Sequence, residues 1–216
     1  MSNDKECFVS SPQLPLTTLI FDLSEVLIAG LLDIEKPLAR HLGISPDGLF
    51  PAFGGQPLTD LFCGRITENA YLAQLIEKQQ WGISLQTLQS LIRQNFHLRI
   101  PGMEQVIGGL AHHYELVLLS DHAEEWIAYI REIHSFLRVF AHQFYSYQFG
   151  QTKSEPSTFS KALQWMHRHP AQCLFIDDWA SNLAVAEKVG LRGIRFLGAA
   201  DLTQKLTELG VLAGYP

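Results

Sequence analysis

The sequence predicts an α/β protein: a doubly wound parallel sheet carrying a small all-helical cap inserted after the first strand. Two observations carry this reading. From residue 101 onward, apolar runs of strand character alternate with segments of helical periodicity, which implies right-handed crossovers and helices on both sheet faces. Between residues 31 and 100 there is no β-branched run, and apolar residues recur at helical spacing instead. The core domain is therefore expected to be discontinuous, 16–30 with 101–216, around a cap at 31–100.

Residues 1–15, polar and broken by Ser11-Pro12 and Leu14-Pro15, read as a loose lead-in. The first strand follows at 17–21. In the cap, Ile34, Leu38 and Leu42 outline a helix closed by Gly43. Gly54-Gly55-Gln56-Pro57 has the chemistry of a break. Ile66, Ala70, Ala73 and Ile76, with Leu72 and Leu75, mark a second helix. Ser84 caps a third, marked by Leu85, Leu88, Leu91 and Ile92. Ile100-Pro101-Gly102 returns the chain to the core, where a helix over 103–112 precedes a strand at 115–119 ending in Ser120-Asp121-His122. Next come a helix at Glu124–Ile133, a strand over 144–149 ending at Gly150, a helix over 157–166 and a strand at 173–176 running into Asp177-Asp178. A helix over 182–189 stops at Gly190, and a strand at 193–196 and a helix over 201–209 finish the chain.

Composition narrows the function classes. With 216 residues, 47% of them hydrophobic and 18% charged, the chain can bury a sizeable core and is not of disordered type. A formal net charge of −6 without a basic run argues against a nucleic-acid binder. Three cysteines, Cys7, Cys63 and Cys173, form no close pair, which argues against a disulfide framework or zinc site and for a reducing compartment. Residues 1–6 are polar, and no apolar stretch approaches the roughly 18 residues of a membrane span. A cytoplasmic location without membrane contact is expected, and nothing bears on oligomeric state. Because the first strand is followed by an acid and not a Gly-x-Gly-x-x-Gly turn, a dinucleotide-binding oxidoreductase is disfavoured.

All strand C-termini of a parallel sheet lie along one edge, where open α/β folds place their ligands. Asp22, then Ser120, Asp121 and His122, then Lys153, then Asp177 and Asp178 all stand at such ends. Clustered carboxylates repel unless they share a proton or a cation, so a divalent metal and chemistry on an anion are implied. The set fits phosphoryl transfer, with Asp22 as nucleophile, acids for the metal, and a hydroxyl and an ammonium for the remaining oxygens. Blander readings stand beside these. Asp177-Asp178 also suits a helix N-terminus, Ser120 and Lys153 an ordinary loop, and His122 a hydrogen-bonded structural position. Trp179 either packs on a neighbouring loop or walls the pocket.

Four phrases in order make the pattern specific: Phe21-Asp22-Leu23-Ser24-Glu25-Val26-Leu27, Leu118-Leu119-Ser120-Asp121-His122, Gly150-Gln151-Thr152-Lys153 and Phe175-Ile176-Asp177-Asp178-Trp179-Ala180-Ser181-Asn182. Over residues of about 16–200 the chain resembles the haloacid dehalogenase (HAD) superfamily of hydrolases, in the branch with a small α-helical cap. Gly64-Arg65-Ile66-Thr67 is similar to a recurrent phrase of that branch. The resemblance implies that Asp22 attacks phosphorus and becomes a transient aspartyl phosphate. It implies Mg²⁺ held by Asp22, by the backbone carbonyl of Ser24 and by Asp178, with Asp177 supporting. Ser120 and Lys153 then neutralise phosphoryl charge, and Asn182 steadies the metal-site loop. Asp121, His122 and Arg65 are expected to contact the substrate, a small phosphorylated metabolite.

Two departures matter. Ser24 stands where the superfamily's phosphatases usually carry a second Asp, which protonates the leaving oxygen and later activates water. General acid–base help of that kind is worth a factor of about 10²–10⁴. Three routes follow: a substrate with a good leaving group, another donor (His122 ahead of Glu25), or reduced activity. Lys153-Ser154 replaces a common Lys-Pro pair, which changes the turn more than the charge. The alternatives are a dehalogenase-type hydrolase acting at carbon, which needs neither metal nor an acid at position 24, and a non-catalytic phosphate-ligand-binding protein of the same fold.

Overall fold

The computed structural model describes residues 14–212; Cys7 and most of the expected lead-in lie outside them. Five parallel strands, β1 (Thr18–Phe21), β2 (Glu115–Ser120), β3 (His142–Tyr145), β4 (Cys173–Asp177) and β5 (Arg192–Arg195), form one sheet in the order β3-β2-β1-β4-β5. Side chains alternate across it. Leu19, Phe21, Leu116, Leu118, Leu174 and Ile176 join one apolar cluster. Ile20, Val117, Leu119, Cys173 and Phe175 join the other, under α8 (Pro156–Trp165) and α9 (Ala180–Glu187). Both faces are covered, so the strands read as continuous apolar runs without polar alternation.

Four helices occupy the region between β1 and α5 (Met103–Leu110): α1 (Glu35–Leu42), α2 (Gln56–Phe62), α3 (Glu68–Gln79) and α4 (Leu85–Phe96). The chain enters and leaves this region through two paired segments, with Ala29 N donating to Leu98 O at 2.8 Å and Ile100 N to Leu27 O at 3.0 Å. Leu38, Leu61, Leu72, Leu88, Ile92 and Phe96 from these helices join the same apolar cluster as the Phe21 face of the sheet. The helical region is thereby packed onto the core through its own apolar stripes. Thr67 and Ser84 cap α3 and α4 through bonds from Ala70 N and Thr87 N at 3.2 and 3.1 Å. The remaining helices are α6 (Glu124–Ile133), α7 (Ser146–Phe149) and α10 (Ala199–Glu208). No helix of the described residues is long and apolar enough to cross a membrane.

The structure corrects several local expectations. The strand expected over 144–149 is β3 at His142–Tyr145, and 146–149 turn into the short helix α7. Ser146 Oγ accepts from His122 N at 2.9 Å and donates to Phe62 O at 2.6 Å, Gln148 Oε1 accepts from Tyr145 N, and Gly150 ends the turn at φ 66°. Those side-chain bonds end the strand. The break at Gly54–Pro57 is the start of α2: Gly55 (φ 84°) precedes the helix and Pro57 sits in its first turn, where a missing N–H costs nothing. α9 begins two residues earlier than expected, directly after Trp179, whose N–H is held by Asp177 Oδ1 at 2.7 Å. β5 and α10 are displaced by one or two residues, the usual fraying of element ends.

Candidate active site

In the sheet, Phe21 pairs with Leu118 on one side and Ile176 on the other, so Asp22 leaves the sheet level with Asp177 and next to the end of β2. Strand order reverses between β1 and β4, and the acids stand at that switch point. Asp22, Asp177 and Asp178 each offer an oxygen within 4.8 Å of the others. Lys153, fully buried, bridges two of them, with Nζ 2.8 Å from Asp22 Oδ2 and 2.6 Å from Asp177 Oδ2. Asn182 Nδ2 reaches both Asp177 oxygens at 3.2 and 3.1 Å. Asp177 is thus committed to the scaffold, holding the ammonium, the amide and the α9 N-terminus together. Asp178 keeps its carboxylate free of such bonds among the described residues and lines the adjoining pocket.

Charge at the site does not balance. Two carboxylates at this separation repel by about 3 kcal/mol at an effective dielectric near 20, and one lysine faces four acids once Asp121 is included. Burial lifts Asp178 to about 7, with Asp22 and Asp177 adding to the shift. Burial likewise raises Asp22; Lys153 works against this and Asp177 adds to it. Lys153 pays no net penalty in protonation: burial opposes its charge, yet Asp177, Asp22 and Asp121 together hold its ammonium well above the ordinary lysine range. A hard divalent cation with oxygen ligands fits this surplus, since it would neutralise the carboxylates that the lysine leaves uncompensated.

The other expected site residues separate into three groups. Ser120 Oγ is buried without a hydrogen-bond partner of good geometry, and its hydroxyl still lowers the proton affinity of Asp22. Asp121 turns back to accept from Lys153 N at 2.9 and 3.1 Å, so it anchors the lysine loop, and burial carries its carboxyl to about 7. His122 Nε2 lies 3.2 Å from Ser24 Oγ, with its ring packed among Phe62, Phe96 and Trp126. Burial, with the Lys153 charge adding, pushes His122 down to about 3, so the imidazole is neutral. Arg65 is not brought to the site: its guanidinium pairs with Asp60 at 2.9 Å on the exposed face of the helical region. The spacing of Gly64-Arg65-Ile66-Thr67 gave no sign of the competing acid five residues before it.

Ser24 and Glu25 lie on a tight loop after β1. Glu25 takes φ 60°, and its Oε1 accepts from Gly30 N at 2.8 Å and Leu32 N at 3.2 Å. A Cβ on Gly30 would sit 2.8 Å from Ser24 Cβ and Oγ and 3.0 Å from Glu25 Oε1, so only glycine lets the loop close on the site. Above the acids is a cavity of about 400 Å³. Its apolar wall comes from Leu31, Leu32, Phe50, Leu58, Phe62 and Phe96, and Trp179, 63% exposed, also lines it. Helical periodicity did not single out Phe50, Leu58 and Phe96, because it marks an apolar face without saying which of its members faces a cavity.

A parallel sheet in this order, with acids at the ends of β1 and β4, a lysine between them and helices following β1, defines a hydrolase of the haloacid dehalogenase superfamily. The chain belongs to the NLI interacting factor-like phosphatase family, whose family model matches residues 68–213. That span holds Lys153, Asp177 and Asp178, while Asp22 lies before it. A D-ribitol-5-phosphate phosphatase of Bacteroides thetaiotaomicron is 34% identical over 64 residues, 30% of this chain and 31% of that protein, so the chain matches under a third of this curated relative's length. Among solved structures, a HAD-family enzyme from Bacteroides thetaiotaomicron, crystallised with magnesium and inorganic phosphate, superposes with a TM-score of 0.72 at 18% identity, covering 88% of this chain and 98% of that one. The L-2-haloacid dehalogenase of Xanthobacter autotrophicus, crystallised with chloropropionic acid covalently bound, gives a TM-score of 0.67 at 14% identity, covering 93% and 85%. At these identities the two structures speak for the fold.

Proposed function

We propose that the protein is a Mg²⁺-dependent phosphatase of small phosphorylated metabolites, working through an aspartyl phosphate on Asp22, with residues 31–100 as a cap over the site. The observation that carries this reading is the convergence of Asp22, Asp177 and Asp178 within 4.8 Å around the buried Lys153. Asp22 and Asp178, with the Ser24 carbonyl, would hold the cation, and Asp177 would support them. A Mg²⁺ held there would supply positive charge that shields the attacking carboxylate from the phosphoryl oxygens.

The chain's own groups do the remaining work. Asp22 is oriented from two sides, by Leu23 N at 2.7 Å and by Lys153 Nζ, so its carboxylate is positioned before substrate arrives. Lys153 and the Ser120 hydroxyl face the same carboxylate and stabilise negative charge developing beside it. Asp22 forms the new O–P bond, the P–O bond to the alcohol breaks with its electron pair on the leaving oxygen, and water then cleaves the aspartyl phosphate. Ser24 is no acid, and the neutral His122 bonded to it has no imidazolium proton to give at physiological pH. Glu25 Oε1 is taken up by the Gly30 and Leu32 amides, so the loop after β1 supplies no ready proton donor, and the first step favours a leaving group that is stable without one.

The intact Asp177-Asp178 pair favours phosphoryl transfer over halide displacement, which uses no metal. Among the described residues, Cys63 and Cys173 are free and buried, in keeping with a reducing, cytoplasmic setting. A phosphate-release screen over phosphometabolites, with and without Mg²⁺, tests the proposal. Expected are release that requires the metal and its loss in Asp22→Asn. Halide release that survives chelation would replace this reading with the dehalogenase, and phosphate-analogue binding without any turnover would replace it with a binding protein.

A further inference from the structure

The apolar part of the cavity lining has a composition that bears on the substrate. Its six wall residues from the helical region are three leucines, Leu31, Leu32 and Leu58, and three phenylalanines, Phe50, Phe62 and Phe96, which contribute no polar side-chain atom. Most polar groups beside this wall are already engaged, His122 Nδ1, buried without a partner, being the exception. Trp126 Nε1 donates to the buried Glu68 at 2.9 Å, which leaves only the apolar part of the indole for the cavity. The Gly30 and Leu32 amides are held by Glu25, and their carbonyls accept from Asn95 Nδ2 at 2.7 and 2.9 Å. A hydroxyl-rich leaving group would give up its water here and find few partners, at a cost that grows with each unpaired hydroxyl. Phe62, Phe96 and Trp126 instead meet at ring-centroid distances of 5.5–6.0 Å in tilted and edge-to-face arrangements, a wall suited to another flat ring.

Building on the phosphatase reading, we propose that this wall is the leaving-group subsite and that the substrate class is phosphate monoesters of apolar aromatic or enolic alcohols. Two independent features converge on it. The wall selects an apolar, planar group, and Ser24 selects a leaving oxygen that departs without a proton. In the reaction the P–O bond breaks toward an aryloxide, which takes its proton from solvent, while Asp22 keeps the phosphoryl group until water releases it.

The comparison that tests this uses kcat/KM, because it reports the steps up to phosphorylation of Asp22 and is insensitive to the shared hydrolysis of the aspartyl phosphate. With Mg²⁺ present, 1-naphthyl phosphate should exceed ribitol 5-phosphate by about 100-fold or more, the value of a missing general acid. The ratio of 1-naphthyl phosphate to acetyl phosphate, which also leaves easily but carries no ring, should fall about tenfold in Leu58→Asn, as expected for a polar group set in an apolar wall. Leu32→Asn, at a more exposed position, should move it the same way should the first variant fold poorly. Ribitol 5-phosphate turned over as well as the aryl ester, or a ratio unmoved in both variants, would overturn the proposal. Absence of turnover for every ester, acetyl phosphate included, would break the phosphatase reading alone. The subsite is then decided by calorimetry with phosphonates that cannot be hydrolysed: tighter binding of 1-naphthylmethylphosphonate than of 2,3-dihydroxypropylphosphonate supports it, and equal binding overturns it.

Discussion

Two buried acidic centres, one at the sheet edge and one between α3, α4 and α6, show how differently a fold can treat a carboxylate. Glu68 at the start of α3 is 2% exposed, yet it accepts from Arg93 Nη2 at 2.8 Å and from Trp126 Nε1 at 2.9 Å, and its own N–H donates to Glu125 at 3.0 Å. Its charge is compensated within the chain, and its bonds tie the helical region to α6. At the sheet edge, Asp22, Asp121, Asp177 and Asp178 share one lysine. A buried charge with its partners in place holds a structure together. A surplus that the chain leaves unpaired reserves a place for something from outside, here a cation and a phosphoryl group.

The largest effect that should separate the two centres is on turnover. Asp22→Asn is expected to reduce phosphate release by about four orders of magnitude or more, as for removal of a nucleophile, while its thermal midpoint does not drop, because a buried like charge has been removed. A midpoint that collapses along with activity would mean that Asp22 is structural, as Glu68 is. Glu68→Ala should do the reverse, lowering stability in urea unfolding by about 2–4 kcal/mol. Arg93, one-third exposed, can partly rehydrate, which keeps the loss toward the lower end. An Ala variant as stable as wild type would remove the contrast.

Asn182→Ala should weaken the apparent Mg²⁺ affinity about 10- to 100-fold, the usual effect of losing a residue that orients a metal-site carboxylate. Titration of activity against Mg²⁺ reads this directly; an unchanged midpoint would show that Lys153 and the Trp179 amide position Asp177 without Asn182. A smaller, pH-dependent effect follows from Asp178. Its folded value of about 7 lies above the ordinary 3.8, so between these values the folded chain binds more protons than the unfolded one. Without divalent metal, stability should therefore fall as pH rises across that window, and Mg²⁺ should abolish the fall by taking the proton's place. A metal-free midpoint that rises over the same window would reverse the assignment. Least of all, Arg65→Ala should leave phosphate release unchanged, since its partner is Asp60 and not the substrate; a large loss would return it to the site.

Much of this was legible in the residues themselves. Strand ends bearing Asp22, Ser120 and Asp177 were readable because both faces of the sheet are covered, so each strand is an uninterrupted apolar run whose polar end stands out. The site residues carried by strand ends, Lys153 and Asn182 did converge, because parallel topology places all such ends along one edge. His122 and Asp121 were placed correctly at that edge, but their roles were not readable. Whether Asp121 faces a ligand or turns back to the Lys153 amide depends on a loop conformation that adjacent residues do not specify. Arg65 failed for the same reason, since a salt bridge formed within the helical region competes with any reach toward the pocket.

Local chemistry by itself thus determined the alternation of strands and helices, the order of the acidic strand ends and the run of helices after β1, because hydrophobic periodicity and turn residues act over a few positions. Which charges are compensated and which are left in surplus was decided only by the tertiary structure. Glu68 and Asp22 look alike as isolated acids. Their difference arises from partners 25 to 155 residues away, brought close by packing, and Coulomb energy in a buried setting depends on those distances and on lost water, neither of which a linear chain displays.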